Sequence, residues 1–158
     1  MVIGTVENPP LDGTAADMLA LKGATIYSVA PDATVYEAIE RMDKWHVGAL
    51  LVMRGEELVG IVSERDYTRK VILRGRVSDE TRVEEIMSAG VITLRSDTSL
   101  GDCLRVVTER RIRHLPVVDA AGKVVGVLSI GDLVRAVVAQ QAETINTLKL
   151  FIGSDYPT

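Results

Sequence analysis

One cysteine, one tryptophan, one phenylalanine and two histidines are all that 158 residues hold of these types. With Cys103 alone, an intrachain disulfide and a cysteine-rich metal site are excluded, and a reducing compartment suits the chain. His46 and His114 have no acidic or cysteine neighbours at metal-ligand spacing, so no metal is expected. Scarce aromatics leave the core to aliphatic side chains and provide few flat platforms for stacked bases. A formal charge of −4 gives no global basic field, and no nucleic-acid partner is expected. No apolar run reaches membrane-spanning length, and "MVIGTVENPP" lacks the basic-then-apolar pattern of a leader. The expectation is a cytoplasmic protein without membrane insertion. Phosphate-loop and dinucleotide fingerprints are missing too, and neither Ser63 nor Ser129 has a recurring His partner, so no catalytic residue is assigned and the chain does not read as an enzyme.

What is present is a repeat. "LVGIVSERDYTRKV" at 58–71 and "VVGVLSIGDLVRAV" at 124–137 both contain Gly-x-x-Ser-x-x-Asp, as Gly60, Ser63, Asp66 and Gly126, Ser129, Asp132. Placing Asp32 over Asp97 brings Val35 over Leu100, Ala38 over Cys103, Met42 over Val107 and Leu50 over Leu115. One extra residue in the second turn then carries the register through Asp66 and Asp132. Each copy reads as a short extended piece, a helix capped by Thr34 or Ser99, two β-rich runs joined at Gly55 or Gly122, and a second helix. The fold class is therefore α/β, built from two tandem β-α-β-β-α units. Amphipathic lead-ins, "AADMLALKG" and "RVEEIMSAG", precede the copies, placing Met18 and Leu19 opposite Ile86 and Met87. The chain divides into a lead-in over 1–17, a first unit over 18–74, a polar linker over 75–83, a second unit over 84–141 and a helical extension and tail over 142–158. Val138, Ile145, Leu148 and Phe151 offer that extension an apolar stripe for the other unit or a second chain, and "GSDYPT" reads as a fraying end.

The residues "APDATVYEAIERM…GALLVM…ELVGIVSERDYTRKV" and "RSDTSLGDCLRVV…RHLPVVDAAGKVVGVLSIGDLVRAV" give the chain its resemblance to tandem cystathionine-β-synthase-type domains, the CBS pair or Bateman module. The resemblance covers about residues 18–140. It implies two units packed through their sheets with approximate two-fold symmetry and clefts that hold adenosine nucleotides. Mapped onto this chain, Ser63 and Asp66 would contact ribose or phosphate in one cleft, and Ser129 and Asp132 in the other. The walls would come from Thr25, Ile26, Val47 and Gly48 of the first unit and from Gly90, Val91, Ile112, Arg113 and His114 of the second.

The chemistry of these residue types agrees. A carboxylate accepts hydrogen bonds from both vicinal ribose hydroxyls, and the helix beginning beside it presents free N–H groups to an anion. Phosphate charge has candidate partners in Arg111, Arg113 and His114, and in Arg65, Arg69, Lys70 and Arg135. Ser and Asp at a strand-to-helix junction also cap helices, and the two roles can coexist. Trp45 is expected to cover apolar surface, and Cys103 to pack in the core. Because Glu64 accompanies Asp66 while Ile130 and Gly131 are neutral, the Asp132 cleft is expected to repel phosphate less. The expected function is that of a regulatory or sensor module for an adenosine-containing small molecule, with AMP first and ADP, ATP, NAD(H) and S-adenosylmethionine as alternatives. A homodimer and a regulated protein partner of unknown identity fit this reading. The alternative is a non-catalytic protein-interaction scaffold with weak or vestigial ligand sites.

Overall fold

A computed structural model describes residues 11–155, with side chains to residue 150. The first unit contains β1 (Ser28–Val29), α2 (Val35–Trp45), β2 (Ala49–Arg54), β3 (Glu57–Ser63) and α3 (Glu64–Lys70), preceded by α1 (Ala15–Lys22). The second contains β4 (Leu94–Arg95), α4 (Leu100–Arg110), β5 (His114–Val118), β6 (Val124–Ser129) and α5 (Ile130–Asp155). Each unit forms a three-stranded sheet in which the first strand pairs parallel with the second and the second antiparallel with the third. The two sheets share even their irregularity, a register shift after Val52 in one and after the equivalent Val117 in the other.

Local chemistry explains the shared framework. Thr34 accepts a hydrogen bond from the Glu37 N–H at 3.1 Å, and Ser99 does the same for Asp102 at 3.1 Å, so α2 and α4 start at equivalent points. Both end on a left-handed residue, His46 at φ 54° and Arg111 at φ 52°. Val35, Ala38 and Met42 line the buried face of α2, and Leu100, Cys103 and Val107 that of α4, with apolar spacing that sets which face meets the sheet. Cys103 is thus a core residue.

The lead-ins do not stay with the units they precede. Ala15, Met18 and Leu19 of α1 belong to the core of the second unit, alongside Leu94, Leu115 and Leu128. Val83 and Ile86, which precede the second unit, complete the core of the first, alongside Val29, Leu50 and Val62. Matching backbone bonds seal both exchanges. Val35 N–H donates to Thr81 O and Val83 N–H to Ala33 O, while Leu100 N–H donates to Gly13 O and Ala15 N–H to Thr98 O, all at 2.8–2.9 Å. Of the two lead-ins, only 15–22 forms an α-helix. The segment at 83–85 is a single 3-10 turn, in which Glu85 folds back to accept from the Arg82 N–H at 2.6 Å.

The linker is tied down despite its polar composition. Thr81 is buried, its hydroxyl donates to Val77 O at 2.8 Å, and Tyr36 N–H donates to Ser78 O at 3.0 Å. Further on, α5 continues as helix to Asp155, past the point where the sequence suggests fraying, and residues 156–158 lie outside the described ones, as do residues 1–10 of the expected lead-in. The expectation that the stripe on α5 packs on the other unit is not met for its described side chains: residues 141–150 are exposed throughout. Phe151 of that stripe lies outside the residues whose side chains are described.

The crossed lead-ins account for the glycine of the repeated motif. A Cβ at Gly126 would stand 2.7 Å from Leu19 Cδ2, and one at Gly60 would stand 2.6 Å from Met87 Sδ. Each lead-in thus lies against a glycine of the third strand of the opposite sheet; an added methyl would force the Leu19 side chain to turn at Gly126, and at Gly60 would meet both the Met87 side chain and Ser88 O at 3.0 Å. Gly126→Ala is expected to cost about 1–3 kcal/mol by overpacking. In urea unfolding, the Leu19→Ala, Gly126→Ala pair should lose less than the sum of the single losses; strict additivity would contradict the contact.

Candidate functional site: two clefts shared between the units

Each repeated Ser/Asp pair closes the N-terminus of the helix that follows it. Asp66 Oδ2 accepts from the Ser63 N–H at 2.9 Å and from its hydroxyl at 3.0 Å, while Ser63 Oγ accepts from the Asp66 N–H at 3.2 Å. Asp132 Oδ2 accepts from the Ser129 N–H at 2.7 Å, and Ser129 Oγ accepts from the Asp132 N–H at 3.2 Å. These reciprocal bonds satisfy otherwise orphaned helix donors and fix each carboxylate at the mouth of a cleft.

The cleft holding Asp132, about 460 Å³, takes Ser129, Asp132, Val127, His114 and Arg135 from the second unit and Thr25, Tyr27, Val47 and Gly48 from the first. Lys22, at the end of α1, reaches into it and donates to Asp132 Oδ2 at 2.6 Å and to Val127 O at 2.7 Å. The cleft holding Asp66, about 600 Å³, reverses the contribution, with Ser63, Glu64, Arg65 and Asp66 from the first unit facing Gly90, Val91, Ile112, Arg113 and His114 from the second. Gly48 and His114 border both spaces.

Of the site residues expected from sequence, Ser129 and Asp132 come together with Thr25, Val47 and Gly48, and Ser63 and Asp66 with Gly90, Val91, Ile112 and Arg113; His114 stands between the groups. Ile26 lines neither cleft. Along the extended segment entering β1, alternate residues face alternate ways, so Thr25 and Tyr27 turn to the cleft and Ile26 does not. Tyr27 was legible by that parity and not picked out; its ring lies 5.2 Å from that of Trp45, which packs against the first core. Lys22 and His46 are further polar residues lining the Asp132 cleft that the sequence reading assigns to no cleft.

The candidate phosphate partners also divide. Arg65, Arg111 and Arg113 line the Asp66 cleft, whereas Arg135 lines the Asp132 cleft. Lys70 is bound to Asp66 Oδ1 at 3.0 Å and to Ile86 O at 2.8 Å, and neither it nor Arg69 lines a cleft. Glu64 does line the Asp66 cleft, but three guanidiniums surround the same space. The expected anion repulsion there is therefore opposed by positive charge.

Burial alone disfavours ionised Asp132, its side chain being only 8% exposed, yet the Lys22 ammonium and the Ser129 donors outweigh that and hold its carboxyl below the ordinary range. Arg135 adds a further contact at 2.6 Å to Oδ1. His114 is depressed as well, by burial first and then by the positive charges of Lys22 and Arg113.

A duplicated β-α-β-β-α pair with two composite clefts, each opening on a cap-locked carboxylate, defines a tandem domain module. The family profile of the CBS domain matches residues 24–72 and 83–139, and the chain belongs to that family. It is 39% identical over 152 residues to the mitochondrial CBS domain-containing protein CBSX3 of Arabidopsis thaliana, covering 90% of this chain and 73% of that protein. Among solved structures, a putative signal-transduction protein with CBS domains from Burkholderia ambifaria superposes with a TM-score of 0.77 at 48% identity, covering 82% of this chain and 96% of the other. The CBS domain protein PAE2072 of Pyrobaculum aerophilum, solved in complex with AMP, superposes with a TM-score of 0.71 at 27% identity over 82% of this chain and 98% of that one. Among the described residues there is no helix long and apolar enough to cross a membrane and no cluster of His, Cys, Asp or Glu able to hold a metal.

The depressed His114 fixes the sign of a pH effect. The unfolded chain takes up this proton first as pH falls below about 6.5, so stability declines across that range, whereas above it both states are neutral and His114 contributes no slope. His114→Gln is expected to flatten the pH dependence of unfolding free energy between about pH 5 and 7. An unchanged slope in denaturant titrations would contradict the assignment.

Proposed function

We propose that the chain is a non-catalytic sensor module that binds an adenosine nucleotide, AMP first among the candidates, in its two composite clefts. The observation that carries this reading is the state of the two aspartates. Asp132 spends its acceptor capacity on the Ser129 N–H, Lys22 and Arg135, and Asp66 on Ser63 and Lys70. A carboxylate offers about four lone-pair sites. Receiving both ribose hydroxyls at Asp132 therefore requires Lys22 or Arg135 to let go. A phosphate on the same ligand offers the released cation a new anion, which favours a nucleotide over a bare nucleoside. In the Asp132 cleft the base would meet Tyr27 and Val47 of the opposite unit. The AMP complex of the related Pyrobaculum aerophilum protein supports the same ligand class.

Exchange of Lys22 from carboxylate to phosphate gives binding a mechanical consequence. Lys22 ends α1, and α1 is part of the second core, so occupancy of the cleft bears on the placement of α1 and of the neighbouring α5. A regulated protein partner, or a second copy of the chain, would read that displacement. For the second copy, α5 supplies Val134, Val138, Ile145 and Leu148, each at least half exposed and spaced as the seam positions of a heptad.

In calorimetry on nucleotide-stripped protein, Asp66→Asn and Asp132→Asn are each expected to remove one binding event and leave the other, with the fold retained by circular dichroism. AMP binding unchanged in both variants would sink the ribose role. Ile145→Glu with Leu148→Glu should halve the mass seen by light scattering while AMP binding persists. A monomeric unaltered chain would rule out the second copy on α5.

A further inference from the structure

The two clefts differ in how their positive charge is committed. In the Asp132 cleft, Lys22 and Arg135 both hold the carboxylate at 2.6 Å. In the Asp66 cleft, Arg65, Arg111 and Arg113 line the wall, and among the described residues none of the three forms an ion pair. The cation that Asp66 does hold, Lys70, is not part of that wall. Glu64 is the one opposing charge besides Asp66 in the lining, and its carboxylate lies toward Gly48, where a Cβ would be 3.8 Å from Oε2.

The repeat shows that this difference is built in position by position. Arg65, Arg111 and Arg113 correspond to Gly131, His46 and Gly48. The same left-handed bend that ends α4 and sets Arg111 in the Asp66 cleft ends α2 and sets His46 in the other. At all three places the Asp66 cleft has a permanent cation where its counterpart has none. It is also the roomier space, about 600 Å³ against about 460 Å³.

We propose, resting on the nucleotide reading above, that the clefts divide adenosine ligands by phosphate number: the Asp66 cleft takes the di- or triphosphate and the Asp132 cleft the monophosphate. An uncommitted guanidinium can turn its fork to phosphate oxygens without breaking an existing pair. Three of them can follow a chain of phosphates away from a ribose anchored at Asp66. In the other cleft, one phosphate suffices to re-pair whichever cation leaves Asp132, and additional phosphates meet no additional positive charge. A chain so arranged holds both ligands at once and responds to their ratio.

The test is calorimetry with AMP and ATP on the full, nucleotide-stripped chain and on its single-cleft variants. In Asp132→Asn the remaining site is expected to bind ATP at least about tenfold more tightly than AMP, and Arg111→Met with Arg113→Met in that background to erase the preference. In Asp66→Asn, AMP should bind at least as tightly as ATP. Competition on the unaltered chain reads the same division without relying on a variant's fold, since ATP should displace AMP from one site and leave the other filled. Equal affinities in Asp132→Asn, or ATP displacing both AMP equivalents, overturns the division while leaving the nucleotide reading in place. Absence of binding by either nucleotide to the unaltered chain overturns both.

Discussion

The crossed closure of the two cores is the constraint on which the rest of the structure depends. A unit of this size buries too little apolar surface to stand securely alone. Here neither core is completed by its own β-α-β-β-α run: α1, from ahead of the first unit, seals the second core, and the segment at 83–87, between the units, seals the first. The seal packs Met87 and Leu19 closely on the glycines of the repeated motif, Gly60 and Gly126, and brings each third strand against the opposite lead-in. The second core is thus closed only with chain that precedes the first unit, and the clefts are the spaces left between the units beside the ends of those strands.

From this follows the double use proposed for the repeated aspartates. At the end of β3 and of β6 the chain turns into a helix whose first N–H groups need acceptors, and Ser/Asp reciprocity supplies them. That local requirement fixes the carboxylate where the opposite unit's wall faces it. Capping and ligand contact are therefore compatible: in each pair the cap occupies Oδ2, while Oδ1 is held by an exchangeable cation, Arg135 at Asp132 and Lys70 at Asp66, and Lys22 shares Oδ2 of Asp132 with the cap. Placing an anion acceptor at a helix N-terminus lets one element meet ribose and phosphate together.

Much of this was legible in the sequence because its causes are local. Hydrophobic spacing and Thr/Ser caps gave α2 and α4, and the β-rich runs around Gly55 and Gly122 gave the paired strands. Resemblance to the CBS pair then grouped Thr25, Ile26, Val47 and Gly48 as one wall and Gly90, Val91, Ile112, Arg113 and His114 as the other, of which Ile26 lines neither cleft and His114 lines both. What escaped depends on distance along the chain or on parity. Lys22 meets Asp132 across 110 positions, and no pattern around "LALKG" signals that contact. The lead-ins look alike in apolar spacing, yet one is a helix and the other a 3-10 turn, and both attach to the unit they do not precede. Ile26 is adjacent in sequence to two cleft residues but faces the other way, while Tyr27 shares the parity of Thr25. Charge commitment is the least legible feature: Arg135 and Arg113 look equivalent as residues, and only the ion pairs separate them.

The central claim is that ligand recognition is composite, with an aspartate from one unit and a wall from the other. A crystal structure of the chain grown with AMP tests it most directly. The account predicts ribose hydroxyls on the Asp132 carboxylate, the base against Tyr27 and Val47 of the first unit, and Lys22 or Arg135 withdrawn from Asp132 toward the phosphate. AMP bound within one unit alone, or with its ribose away from both Asp66 and Asp132, would contradict it.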